Sequence, residues 1–181
     1  MSLLGLKPEL VPLNLMAGEH KTSKFLALNP LGQVPVLEDE EFVLADSQAI
    51  LVYLARKYGK HWLPEDAESL SKIVRWLSIS AGEVRYGVAS ARLFYLFNLR
   101  DIEIKSITDK AIAFLQQLEQ HLNNRQWLEL DRPTIADLAV FPYVALAADG
   151  KIALEPYSNI LAWCDRLKQL PGFVTMPGIQ F

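Results

Sequence analysis

Residues 29–50, NPLGQVPVLEDEEFVLADSQAI, place two prolines, a glycine, an acidic turn and a serine ahead of an apolar helix. Residues 34–38 and 42–45 read as the two strands of a hairpin, with Asp39-Glu40 at a tip too acidic to bury. From Ser47 the apolar residues Ile50, Tyr53 and Leu54 share one helical face, and Gly59 stops the helix, so a helix is expected over 47–58. Pro35 is awkward directly before a strand that must pair on at least one side. Two readings fit it. A trans proline opens the strand, or a cis Val34–Pro35 bond turns the chain and leaves the Val34 N–H and C=O free to pair with an extended peptide ligand.

Outward from this stretch the chain divides into two textures. On the N-terminal side, residues 9–15 (ELVPLNL) alternate enough to suggest a strand, with Pro12 marking an edge or a bulge, and residues 22–28 suggest a short helix. On the C-terminal side, KHWLPEDAE at 60–68 breaks the pattern with a proline and a cluster of acids, and everything beyond it is helical. Leu70, Ile73, Val74, Leu77, Ala81, Val84, Val88 and Ala91 keep a 3.6-residue period and predict one long helix. Ile107, Ala111, Phe114, Leu115, Leu118 and Leu122 predict a second, closed by the polar Asn123-Asn124. Thr134 and Asp137 form a capping-box pair at the start of a third helix. A last helix turns Ile160, Leu161, Cys164 and Leu167 to the core and ends at Pro171-Gly172.

Composition narrows the function classes. The 181 residues are 51% apolar, enough to bury a core, and 18 basic against 21 acidic residues leave a net charge of −3, which gives no reason to expect nucleic acid or an anionic membrane as partner. No apolar run approaches the roughly 18 residues that span a bilayer. The single cysteine, Cys164, excludes an internal disulfide framework and a cysteine-rich metal site and suits a reducing compartment, so the cytoplasm is the expected location. No metal is expected. Cys164 itself falls on an apolar helix face and reads as core.

Two features can bind ligands. Asp46-Ser47 heads the helix after the hairpin, where backbone donors, the helix dipole and a hydroxyl converge; the plain alternative is an ordinary N-cap. His20, in the loop AGEHKTSK, says nothing alone. In combination, Asn29-Pro30, Gly32-Gln33-Val34-Pro35, the hairpin, Asp46-Ser47-x-Ala49-Ile50 and Tyr53-Leu54 closely resemble the glutathione-binding half of the cytosolic glutathione transferases. RPTIADLAVFPYVALA (132–147) and YSNILAWCDRLKQLPGF (157–173) resemble that family's capped, aspartate-bearing helix and its last core helix, so the resemblance covers nearly the whole chain.

The resemblance implies an α/β plus all-α fold, with an incomplete thioredoxin-like domain over residues 1–59, a linker at 60–68 and a helical bundle over 69–181, working as a homodimer. It implies glutathione as co-substrate, conjugated to a small hydrophobic electrophile. By position, Val34 pairs through its backbone with the cysteinyl part of glutathione and Pro35 is the cis residue shaping that edge. Asp46 and Ser47 hold the γ-glutamyl end, and His20 and Gln33 lie near the glycine carboxylate. An extended, anionic tripeptide needs a strand edge for its middle and polar donors at its carboxylates. Arg85, Tyr86 and Arg92 are candidates for the electrophile's side, against the plainer reading of a polar helix stripe.

One departure stands out. Family members open with a strand and a helix that carry the hydroxyl or thiol activating glutathione, whereas about eight residues precede the first strand candidate here. A truncated reading frame is the expectation that accounts for this, and the activating residue is unassigned. A thiol of pKa about 8.5 is about 3% ionised at pH 7, and lowering that value by two units takes about 2.7 kcal/mol. Losing one charge-assisted hydrogen bond therefore cuts the thiolate population by about ten- to thirtyfold without abolishing glutathione binding. A noncatalytic binding or assembly module, and a glutathione-dependent disulfide reductase or peroxidase, remain alternatives to the transferase.

Overall fold

The computed structural model describes residues 1–98, 103–176 and 178–179. The N-terminal part is small. After short 3-10 turns at Ser2–Leu4 and Glu19–Lys21, helix α1 (Ser23–Leu28) starts where the Thr22 hydroxyl accepts from the Phe25 N–H and ends at Asn29. Strands β1 (Val36–Asp39) and β2 (Phe42–Ala45) form an antiparallel pair in which Val36 faces Ala45 and Asp39 faces Phe42. Helix α2 (Ser47–Tyr58) follows at once. Phe25, Leu37, Leu54 and Ala55 are buried apolar residues of this part.

The rest is a helical bundle: α3 (Ala67–Ile79), π-helical turns at Ser80–Ala89, α4 (Ser90–Leu96), α5 (Ile104–Leu122), α6 (Ile135–Ala145) and α7 (Ser158–Lys168). Its core is continuous, from Ile73, Trp76 and Leu77 through Val84, Val88, Phe114, Leu115 and Leu118 to Val140, Trp163 and Leu167. Asp137 is fully buried within it. Asp137 Oδ1 accepts from the Leu128 N–H and the Trp163 indole at 2.9 Å each, and Oδ2 accepts from the N–H and hydroxyl of Thr134 at 2.9 and 3.1 Å. Burial pushes the Asp137 carboxyl above the ordinary carboxylate range, and the donors pull the other way. The capping box expected at Thr134 is present.

Several expectations are corrected. Residues 9–15 form no strand: Leu10 and Val11 are 82% and 77% exposed, and Pro8 and Pro12 withhold donors from any ladder. The hairpin turns at Glu40-Glu41, Glu40 taking a φ of 57°, which moves Asp39 off the tip and into β1. There its Oδ2 accepts from Tyr58 at 2.6 Å and from Tyr53 and Lys57 at 2.9 Å. Asp39 is thus held by α2 rather than solvated in a turn. The long helix expected from Leu70 is present, with wide turns within it. Wide i→i+5 turns over 80–89 locally rewind the helix, so Ser80, Gly87 and Ala89 are buried beside the expected Val84, Val88 and Ala91 while Ala81 is exposed. Gly87 lies so close to α5 that a Cβ there would stand 3.1 Å from the Ala111 Cα. Val74 and Leu161, both expected in the core, are 46% and 38% exposed on the outer flanks of α3 and α7.

Between the two parts, the segment 60–68 carries Trp62 and Leu63, 6% and 1% exposed, into the same core as the bundle. Cys164 is buried as expected, and burial pushes its thiol up to about 12.

Candidate functional site

Asn29 builds the loop that leads into β1. Its buried side chain accepts from the Leu31 N–H at 3.1 Å through Oδ1 and donates to the Gln33 carbonyl at 2.8 Å through Nδ2, while its own carbonyl accepts from the Gly32 N–H at 2.8 Å. An asparagine that saturates its side chain within four residues holds a tight turn with no strand to lean on. Gly32 has φ 60°, and a Cβ there would meet the His20 carbonyl at 2.9 Å and the Lys21 ammonium at 2.8 Å. Only glycine lets the Glu19–Lys21 turn come this close. The sequence therefore brings His20 and Lys21 directly beside the Gly32-Gln33 loop.

Past that loop the Val34–Pro35 peptide is cis. Val34 is 46% exposed, and among the described residues its backbone N–H and C=O take part in no hydrogen bond of the sheet or the turns. Because Val36 pairs with Ala45, residues 34–35 and 46–47 emerge at the same end of the hairpin. Asp46 sits there with φ 77° and ψ 124°, a backbone conformation rare for a side chain bearing a Cβ. Its Oδ1 caps α2 by accepting from the Gln48 and Ala49 N–H groups at 2.9 and 3.0 Å. Asp46 and Ser47 are both exposed, at a positive helix end. His20 Nδ1 is buried and has no hydrogen-bond partner.

Of the residues singled out from sequence, His20, Gln33, Val34 and Pro35 thus lie along one loop, and Asp46 and Ser47 lie across the hairpin end from it. Arg85, Tyr86 and Arg92 are elsewhere, on the π-helical turns and α4. Tyr86 is 62% exposed, the Arg85 carbonyl accepts from Ser90, and the Arg92 guanidinium is paired with Asp149 at 2.9 Å. An open depression of about 680 Å³ is lined by Asn124, Arg125, Gln126, Leu130 and Asp131, none of which belongs to the site. Among the described residues, no three His, Cys, Asp or Glu side chains gather as metal ligands, and no helix is long and apolar enough to cross a membrane.

Sequence reasoning missed three contributors. Asn29 was visible as an Asn-Pro turn signal, though not as the residue that shapes the Gln33-Val34 backbone. Lys21, whose ammonium reaches the Gly32 carbonyl at 3.5 Å, had no signal beyond its place next to His20. Gln48 had none, because its partner Ser80 lies 32 residues away.

Comparison with known proteins agrees with the geometry. Residues 1–56 match the family model described as glutathione S-transferase, N-terminal domain, and residues 98–175 match glutathione S-transferase, C-terminal domain. The chain is 33% identical to glutathione S-transferase 3 of Zea mays, over 93% of this chain and 81% of that one. It is 30% identical to glutathione S-transferase theta-2 of Homo sapiens, over 93% and 73%. The crystal structure of a glutathione S-transferase from Pseudomonas fluorescens Pf-5 superposes with a TM-score of 0.91 at 30% identity, covering 97% of this chain and 89% of the other. With a thioredoxin-like N-terminal part, a helical C-terminal part and relatives at this similarity along nearly its whole length, the chain belongs to the cytosolic glutathione S-transferase family.

Proposed function

We propose that this chain binds glutathione across the open end of the hairpin and joins it through its thiol sulfur to a small hydrophobic electrophile. The observation that carries the reading is the placement of an unpaired, exposed Val34 backbone opposite a helix N-terminus headed by Asp46 and Ser47. The cysteinyl amide of glutathione pairs with Val34, its γ-glutamyl ammonium meets the Asp46 carboxylate, and its γ-glutamyl carboxylate takes the hydroxyl and backbone N–H of Ser47. At the other end, His20 and Gln33, with Lys21 beside them, face the glycine carboxylate. Asn29, by holding the loop, sets the Val34 edge.

In the reaction the glutathione thiol first gives its proton to solvent or buffer. The thiolate then forms a carbon–sulfur bond to the electrophile, and the leaving group departs with the electron pair of the bond it breaks. Arg85 and Tyr86 are proposed to face the electrophile; the ion pair of Arg92 with Asp149 gives Arg92 a packing role between α4 and the turn after α6 as well. A cytoplasmic homodimer is the proposed working form. The test is glutathione-dependent conjugation of an aryl halide by the purified chain, with glutathione binding measured by calorimetry alongside. Turnover above the uncatalysed rate is expected. A rate equal to background with glutathione bound would leave a binding module, and no heat at millimolar glutathione would overturn the site itself.

A further inference from the structure

Gln48 is the one polar group at the α2 N-terminus that the proposed glutathione contacts leave unused. Its backbone N–H donates to Asp46 Oδ1 at 2.9 Å, and its side chain runs inward, where Nε2 donates to Ser80 Oγ at 3.1 Å. Ser80, 4% exposed, donates in turn to the Ala139 carbonyl at 2.8 Å. A serine hydroxyl has a single proton, and here Ala139 receives it. Ser80 must then accept from Gln48, which fixes which way the amide points. The chain of bonds thus runs from the cap of α2 to the first π-helical turn and on to α6.

The amide is a poor device for stability alone. Gln48 Oε1 is buried and has no partner, and an unsatisfied buried acceptor costs free energy rather than supplying it. What the side chain supplies is position. Helix α2 springs from a two-stranded hairpin, too small to hold a fixed orientation by itself, and Asp46 sits in a rare backbone conformation that its surroundings must enforce. A binding residue displaced by a fraction of an ångström loses much of its contribution.

We propose that Gln48 is a positioning residue for glutathione: through Ser80 and Ala139 it fixes the α2 N-terminus against the helical bundle so that Asp46 and Ser47 meet the γ-glutamyl end. This rests on the reading that Asp46 and Ser47 hold that end. The experiment is calorimetric titration of the full chain with glutathione, comparing the native protein with Gln48→Met, Ser80→Ala, the double variant, Ser80→Thr and Glu119→Ala. Gln48→Met keeps the volume and removes both amide atoms, so the variant stays folded, which circular dichroism checks. Should Gln48→Met fail to fold, Ser80→Ala cuts the same chain from the bundle side.

Each of the two single variants is expected to weaken glutathione binding about fivefold, the effect of losing one hydrogen bond of ordinary strength. The double variant should do no worse than either, because both cut one chain. Ser80→Thr, which keeps the hydroxyl, should retain native affinity. Glu119→Ala, which loosens the bundle at another helix, should change affinity less than twofold and so separates positioning from general softening. If the native chain binds and Gln48→Met binds equally well, or if the two single effects multiply in the double variant, the positioning role is overturned. A native chain that takes up no glutathione overturns the functional reading first, and this proposal with it.

Discussion

Asp46 is an observed cap and a proposed ligand, two roles that a single substitution separates. As a cap it satisfies the Gln48 and Ala49 N–H groups, and asparagine does this about as well as aspartate and tolerates positive φ at least as readily. As the proposed ligand it offers a charge. Asp46→Asn should therefore leave the urea midpoint nearly unchanged while weakening glutathione binding by roughly tenfold or more, the worth of a charge-assisted hydrogen bond; unaltered affinity would show that the carboxylate is a cap alone. Asp39 presents a different case. Hydrogen bonds from Tyr58, then Lys57 and Tyr53, hold its carboxyl down at about 2, below the ordinary value of about 3.9. A depressed folded value means that its stabilisation is present above the unfolded pKa and is lost as pH falls from about 5 toward 2. Carboxyl-carbon NMR should show Asp39 titrating last among the aspartates, and Asp39→Asn should flatten the acid arm of the stability profile. Titration near 4 would mean that the three donors do not act on it in solution.

At the scale of elements, what was legible in the sequence was local. The cap at Thr134, the stop at Gly59, and the inward faces of α5 and α7 around Leu115, Leu118, Ile160 and Leu167 follow from spacing that any helix obeys. What was not legible depended on partners far away in the chain. The alternation of residues 9–15 called for a strand, but alternation cannot supply a neighbour to pair with. Nothing in the run Leu77-Ala81-Val84 announces the wide turns that expose Ala81, or that Gly87 within them closes on Ala111 of α5. The start of α7 is the clearest instance. Tyr157 offers it no side-chain cap; instead the Glu119 carboxylate of α5 accepts from the Asn159 and Ile160 N–H groups at 3.0 Å each, from 40 and 41 residues away. A carboxylate on free N-terminal donors is a cap in all but sequence position. Glu119→Ala should accordingly cost about 1–2 kcal/mol, as loss of an ordinary cap does, read as a lowered urea midpoint with unchanged slope. A change below a few tenths would mean that water replaces the carboxylate at no loss.

At the scale of the whole molecule, the candidate site stands on the small part of the structure and its rigidity comes from the large one. Of the proposed ligand residues, Val34-Pro35, Asp46 and Ser47 carry local turn or cap signals, whereas His20 and Gln33 became candidates only through the motif order. Their support was not readable, because Gln48 and Ser80, or Trp62 and the bundle, meet only in three dimensions. Phe25, Leu37 and Leu54 give the hairpin and its helices little apolar area, and two strands alone are marginal in water. Ala55, Trp62 and Leu63 extend the bundle's core under α2, and the Arg56 guanidinium donates to the Pro64 carbonyl at 3.0 Å. The N-terminal part should therefore have no stability of its own to lose first. Two probes test this: tryptophan fluorescence, since Trp62, Trp76, Trp127 and Trp163 all lie in the bundle's core, and hydrogen exchange of the Val36–Asp39 amides. Both should report one transition with the same midpoint and slope. Leu63→Ala, at 1% exposure, should lower it by about 2–5 kcal/mol in both probes together. If the β1 amides instead exchanged at a denaturant concentration where the fluorescence was still native, the hairpin would be an independent unit and the Leu63 contact a mere covering.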